Sequence, residues 1–346
     1  MKGGELLKKG FGTAWCYFFI HLLVEIVCFQ ILYSYFKSIP LSWLMYLIFD
    51  FTAFVPQSFF GLMIDKNPKL KLGSFGAVLM LCASVMMFAE LTFIKILALI
   101  LVALGNAIIH ASGAVATTAV SEGRLAHSAI FVGGGSFGVI IGQTLGNMHT
   151  SLIISFFCCI VIIFLIAVSN PAWIDERRTI PQFSLIRDKT SHWAIIITAF
   201  FVVVVRSYIG YAIPISWKKE PWQAFLLFFI MGAGKVLGGI LSDRFGSRRV
   251  GVLSTLLCIP FLICGNNVML ISVIGVFLFS LTMSITFGML LSVIKNSPGL
   301  AFGITTIGLF IGIMPAFFFS LSPVINGIII VVLSILSAMG LGKTLK

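Results

Sequence analysis

The sequence has 346 residues, 59% of them hydrophobic and 10% charged, with a mean hydropathy of +1.12 and a formal net charge of +12. Soluble domains carry about 25% charged residues, so most of this chain is solvated by lipid and a sizeable soluble domain is excluded. The basic residues fall in short clusters between apolar runs, with no basic amphipathic stretch interleaved with aromatics, so the positive charge marks loops on one membrane face and no nucleic-acid partner is expected.

Lys2, Lys8 and Lys9 precede the first apolar run, 13–36, which is too long for a signal-peptide core and reads as a retained span. Further runs follow at 42–64, 72–92, 95–118, 128–148 and 150–169. A hydrophilic stretch, Asn170 to Ser191, then interrupts the pattern before runs at 192–216, 221–242, 250–266, 268–292, 300–320 and 322–342. A membrane span needs roughly 20 apolar residues, so twelve spans with short loops fill the chain. With the N-terminus in the cytoplasm, 17 of the 23 Lys and Arg residues fall in inner segments, four in outer loops (Lys37, Lys95, Lys218, Lys219) and two inside spans. That bias fixes the orientation, with both termini cytoplasmic. The expected fold class is an all-α membrane protein of twelve transmembrane helices, in the inner (cytoplasmic) membrane. Residues 1–169 form one six-helix bundle, 170–191 a cytoplasmic linker and 192–346 a second six-helix bundle. The seven cysteines lie inside apolar runs and read as small buried hydrophobes.

An internal repeat supports the division. Gly61-Leu-Met-Ile-Asp65-Lys66 follows the second run and Gly239-Ile-Leu-Ser-Asp243-Arg244 follows the eighth, with the aspartates 178 residues apart. Parallel repeats related by an axis along the membrane normal are a construction used by secondary transporters. In the second copy Gly246, Arg248 and Arg249 follow. Gly239 permits close helix approach and Gly246 a tight turn. The aspartate can pair with a nearby arginine or with the positive N-terminus of a neighbouring helix. This segment resembles the G-x-L-a-D-r-x-G-r-[kr] signature of the major facilitator superfamily. The resemblance implies two pseudo-symmetric six-helix bundles and a conformational latch formed by Asp65, Asp243, Arg244, Arg248 and Arg249, which holds one face closed and breaks on switching.

The fifth run carries Gly134, Gly138, Gly142 and Gly146 at a spacing of four, one smooth helix face. It is read as an interbundle sliding contact, with packing inside one bundle as the alternative. The same segment resembles the antiporter motif of drug exporters, with Gln143 where proline stands and Asn147 where the last glycine stands. A longer resemblance covers Gly105-Asn-Ala-Ile-Ile-His110-Ala-Ser-Gly113, Arg124-Leu-Ala-His-Ser-Ala-Ile-Phe-Val-Gly133-Gly134, Val205-Arg206-Ser207-Tyr-Ile-Gly210 and His21-Leu-Leu-Val-Glu25. These stretches resemble the fosmidomycin-resistance branch of drug/proton antiporters, with Glu25 for the branch's aspartate and Ala111 for its proline.

A charged side chain inside a span costs about 2.5–3.5 kcal/mol on insertion scales, so each needs a reason. Glu25 and Arg206 lie near the centres of the first and seventh runs, and His21 stands one helical turn before Glu25 on the same face. The resemblance implies that spans one, four, seven and ten line a central cavity, so His21, Glu25, His110 and Arg206 are expected to face it. A carboxylate and an imidazole exchange protons near neutral pH and an arginine does not. Glu25 is therefore expected to carry the proton, His21 to modulate it and Arg206 to supply a fixed positive charge. A permanent Glu25–Arg206 pair that only fixes packing is the alternative. Asp50 and Lys235 complete the candidate cavity, Lys235 alternatively snorkelling to the interface. The expected function is proton-coupled transport of a small organic molecule by alternating access, with efflux as the leading direction. Uptake of an organic anion is the alternative, and Arg206 and Lys235 suit an anionic substrate in either direction. The expected partners are that substrate, the proton and the bilayer. A monomer is expected, with no cofactor, metal or enzymatic activity, since no nucleotide-binding loop or metal-ligand spacing such as H-E-x-x-H occurs.

Overall fold

The computed structural model describes residues 3–67, 69–169, 180–213, 215–319 and 321–346. In chain order the helices are α1 (Gly3–Ser34), α2 (Ser42–Phe54), α3 (Gln57–Lys66), α4 (Leu72–Met86), α5 (Thr92–Ala119), α6 (Ala126–Asn147) and α7 (Ile153–Ser169), then α8 (His192–Ala212), α9 (Pro221–Phe245), α10 (Ser247–Cys264), α11 (Met269–Ser280), α12 (Met283–Val293), α13 (Pro298–Ile313), α14 (Pro315–Phe318) and α15 (Pro323–Thr344). Among the described residues the only strand-like pairing is a bridge between Ile186 and Leu345.

Ten segments are long and apolar enough to cross a membrane: Gly10–Ser38, Ser42–Lys66, α5, α6, α8, α9, α10, Met269–Val293, Pro298–Phe318 and α15. Pro56, which has no N–H to offer its helix, divides Ser42–Lys66 into α2 and α3. The ladder resumes when Phe60 N–H donates to the Pro56 carbonyl. The remaining two expected spans appear as shorter helices, α4 with 15 residues and α7 with 17. Beyond α4 the chain tightens into i→i+3 turns, Phe88 N–H to the Val85 carbonyl and Ala89 N–H to the Met86 carbonyl, so apolar sequence continues after the α-helix has ended. Large apolar side chains such as Phe59, Phe93, Phe164, Trp193, Leu270 and Val324 point outward and are exposed. So much apolar exterior is stable only against lipid. The chain is an all-helical, multi-pass membrane protein.

Helices α1–α7 pack among themselves, with α6 along α1 and α4 along α5, and α8–α15 pack among themselves around α8, α10 and α13. The two groups meet chiefly where α6 lies on α9 and α3 on α13. Both crossings are close because glycines stand there. A Cβ on Gly61 would run into the Gly299 carbonyl, and one on Gly239 into the Ala129 methyl.

Residues 170–179 of the expected linker lie outside the described residues. The following segment is extended and runs beside the chain's end, Arg187 N–H donating to the Thr344 carbonyl at 3.1 Å and Arg187 Nε to the Leu345 carbonyl at 3.0 Å. It also touches the turn at Gly123 and, with Lys295 and Asn296, lines one cavity. Gly10 of α1 packs against Val120 and His127. The α5–α6 turn, the α12–α13 turn, the early part of α1 and Lys346 are therefore gathered on one side of the molecule.

Candidate functional site

One turn of helix separates His21 from Glu25, so both side chains leave α1 on the same face. α5 presents Asn106 and His110 opposite them, also one turn apart, and α6 presents Phe131. The two imidazoles meet at 2.7 Å between their Nε2 atoms. Glu25 Oε1 lies 3.3 Å from His110 Nε2 and 3.7 Å from His21 Nε2. Asn106 Nδ2 donates to Glu25 Oε1 at 3.2 Å and to Cys28 Sγ at 3.4 Å. All four residues are buried, none more than 9% exposed.

The remaining ring nitrogens determine what this cluster holds. His21 Nδ1 is 2.8 Å from the Phe131 carbonyl and His110 Nδ1 is 2.9 Å from the Asn106 carbonyl. A carbonyl oxygen only accepts, so both Nδ1 atoms carry hydrogen. Two neutral rings of that tautomer would aim lone pairs at each other across 2.7 Å. A proton on one Nε2 would turn that clash into an N–H···N bond, and the Glu25 carboxylate stands where it would balance the charge. The same three donor atoms lie within 4.8 Å of one another, a set that a divalent ion could use. Two nitrogens on a tetrahedral ion with bonds of about 2.0–2.1 Å stand about 3.3 Å apart, so the present separation suits an N–H···N bond better. Phe131 packs over both rings, at 5.0 Å from His21 and 6.1 Å from His110, and continues through Phe302 of α13 at 6.0 Å to Phe287 of α12 at 5.4 Å. This aromatic row joins the two helical groups a turn or two inside the Asp65 and Asp243 ends.

Those two aspartates make the second element of the site. Asp243, at the end of α9, accepts from Leu125 N–H at 2.8 Å and Ala126 N–H at 2.9 Å, the start of α6. Asp65, at the end of α3, accepts from Gly299 N–H at 3.0 Å and Leu300 N–H at 2.9 Å, the start of α13. Each carboxylate spans two free N–H groups at a helix N-terminus in the other group, where the macrodipole favours negative charge. Among the described residues no arginine forms an ion pair with Asp243. Arg248 Nε donates instead to the Gly342 carbonyl at 3.2 Å, and Arg244 lies over the Phe245 ring at 5.3 Å. Among the described residues no contact of Arg249 enters the site.

Two expectations need correction. Arg206 does not join Glu25, whose partners are the two histidines and Asn106. It is buried on α8 beside a separate small cavity within the second group. The glycine face Gly134, Gly138, Gly142 and Gly146 lies against Phe18, Leu22, Ile26 and Gln30 of α1, inside the first group, and is not an interbundle surface. Burying Gly134 and Gly138 against α1 lets α6 come near enough to place Phe131 over His21. The contact with α9 falls on the neighbouring stripe, Leu125, Ala129 and Gly133, facing Gly232, Val236 and Gly239.

Lys235 does cross between groups, its Nζ donating to Ser136 Oγ of α6 at 2.8 Å, within electrostatic reach of Glu25 and Arg206. Asp50 is half-buried on α2, within electrostatic reach of Glu25. Sequence reasoning missed Asn106, Ser136, Phe131 and Phe302. Asn106 had a signal, an i, i+4 spacing to His110, whereas Ser136 and the phenylalanines look like ordinary span residues. No protein-family model and no curated protein matches the chain.

Proposed function

We propose that this chain is a proton-coupled secondary transporter of the major facilitator type, moving a small organic molecule by alternating access. On this reading the ten long and two shorter helices are twelve spans. They form two six-helix bundles, 1–169 and 192–346, joined by the 170–191 linker. The chain works as a monomer in the inner membrane, with the basic, latch-bearing side and both termini in the cytoplasm.

The observation that carries the reading is the reciprocal capping by Asp65 and Asp243. Each is anchored in one bundle and holds the other by two hydrogen bonds to backbone. Such bonds sit at the bundle boundary and can break without unfolding either bundle. With them made, and the Phe131–Phe302–Phe287 row closed above them, the cytoplasmic side is shut. The His21–Glu25–His110 cluster then supplies a site that can hold and release a proton, with Asp50 as a second acid nearby. Efflux remains the leading direction. Lys235 at the bundle interface favours an anionic cargo and keeps anion uptake as the second reading.

The test is reconstitution of the purified protein into liposomes with a pH gradient imposed in either sense, screened against small organic acids and neutral or cationic analogues. The expected result is accumulation of at least one solute above its equilibrium level that collapses when the gradient is dissipated. Transport that proceeds equally with and without the gradient would remove proton coupling from the proposal.

A further inference from the structure

Arg206 is 8% exposed, and its Nη1 has no hydrogen-bond partner among the described residues. Arg206 borders a cavity of about 20 Å³ whose other lining is apolar, from Val202, Val205, Ile209 and Phe279, except for Thr255, Cys258, Thr282, Ser334 and Ser337. Ser337 Oγ is buried and likewise has no partner among the described residues. A buried charge without a counter-ion is among the most expensive arrangements a protein can adopt.

Among the described residues no carboxylate forms an ion pair with Arg206. From residue 192 onward the chain has only two side-chain carboxylates, Glu220 and Asp243. Glu220 caps the start of α9 and Asp243 is bound to the start of α6. Glu25 belongs to the two histidines. Lys235 adds a second cation within electrostatic reach of Arg206.

We infer that this cavity is a binding site for a small monovalent inorganic anion of chloride's size, held by Arg206 Nη1 and the Ser337 hydroxyl. A space of 10–15 Å³ by this measure holds one water, so the cavity admits one or two water-sized particles and excludes organic anions. The hydroxyls of Thr255 and Thr282 donate to the Gly251 and Phe279 carbonyls, which leaves their oxygens as walls, whereas the Ser337 hydroxyl has no partner among the described residues and is available to donate. The bound anion neutralises the interior of the second helical group. The inference does not depend on the transport reading, because it concerns the chain's own charge balance.

The experiment follows the thermal unfolding midpoint of the purified full-length protein in detergent, in sodium gluconate with chloride replacing gluconate at constant ionic strength. Wild type is expected to show a saturable rise in midpoint with chloride. Ser337→Ala is expected to need about ten-fold more chloride for half the rise, the usual effect of losing one hydrogen bond to a charged group. Arg206→Gln is expected to lose the chloride response while its midpoint in gluconate stays at or above that of wild type, because the uncompensated charge has gone. The inference is overturned if wild type does not respond to chloride, or if both variants respond as wild type does. It is also overturned if Arg206→Gln unfolds at a lower temperature in gluconate, which would mean that the guanidinium is held by the protein itself.

Discussion

His21, Glu25 and His110 act as one unit because of where their outer ring nitrogens point. Two backbone carbonyls, of Phe131 and Asn106, take both Nδ1 hydrogens, and this leaves the two Nε2 atoms facing each other at 2.7 Å, the place where one proton can be shared. Replacing Glu25 by Gln removes the balancing charge and favours loss of that proton, after which the lone pairs repel. We expect Glu25→Gln to retain substrate binding and exchange but to lose accumulation driven by a pH gradient, and to lose the pH dependence of exchange. Flux measured in liposomes with and without the gradient checks both. Asn106→Ala deletes a donor to a charged oxygen and should destabilise the protein by about 1.5–3 kcal/mol, read as a lower unfolding midpoint at unchanged membrane insertion. Glu25, His21 and His110 were legible in the sequence because ionisable groups inside spans are rare. That Glu25 would meet His110 rather than Arg206 was not legible, since the rotation of α8 about its axis is set by packing against α13 and α15.

At the scale of the helix, two stripes of α6 do different work. Gly134, Gly138 and Gly142 bind α6 to α1 within the first group, while Ala129 and Gly133 meet Gly232, Val236 and Gly239 of α9 in the second. A large side chain at each stripe separates the roles. Gly138→Leu would drive into the Leu22 carbonyl and is expected to abolish folding and expression, a cost of several kcal/mol for overpacking against backbone. Gly239→Leu would wedge the boundary instead. It should insert normally and lose transport, while maleimide labelling at the latch side increases. Equal loss of expression in both variants would show that the α6–α9 contact is as permanent as the α1–α6 contact. The four-residue glycine spacing was plain in the sequence, but four-residue spacing fixes a face and not its partner, so the stripe was assigned to the wrong neighbour. Helix positions were legible because apolar runs of span length leave few alternatives. Their interruptions at Pro56 and Pro315 follow from the missing N–H, whereas the break between α11 and α12 at Leu281–Thr282 has no proline to announce it.

For the whole molecule, the two groups of helices are held at one side by four backbone hydrogen bonds to two carboxylates and by an aromatic row. Asp65 and Asp243 were found from the 178-residue repeat, and both accept from helix N-termini, the second of the two alternatives, with Arg124 also within electrostatic reach of Asp243. Two short sequences half a chain apart show that a device is repeated, but not which of several cationic or dipolar groups each copy meets. The central claim is that these caps hold one side shut and that opening it closes the other. It needs no knowledge of the substrate to be tested. In a background with the seven native cysteines replaced, a probe cysteine is placed at Phe302, in the aromatic row near the caps. In a separate variant it is placed at Phe310, which lies about 12 Å further along α13 and packs on Phe51 of α2. Maleimide labelling of each is then compared with and without Asp65→Asn and Asp243→Asn together. Alternating access predicts that the paired substitution raises labelling at position 302 at least several-fold, while position 310, already buried against Phe51, gains none. Labelling that stays unchanged at both positions, or rises at both, would contradict it.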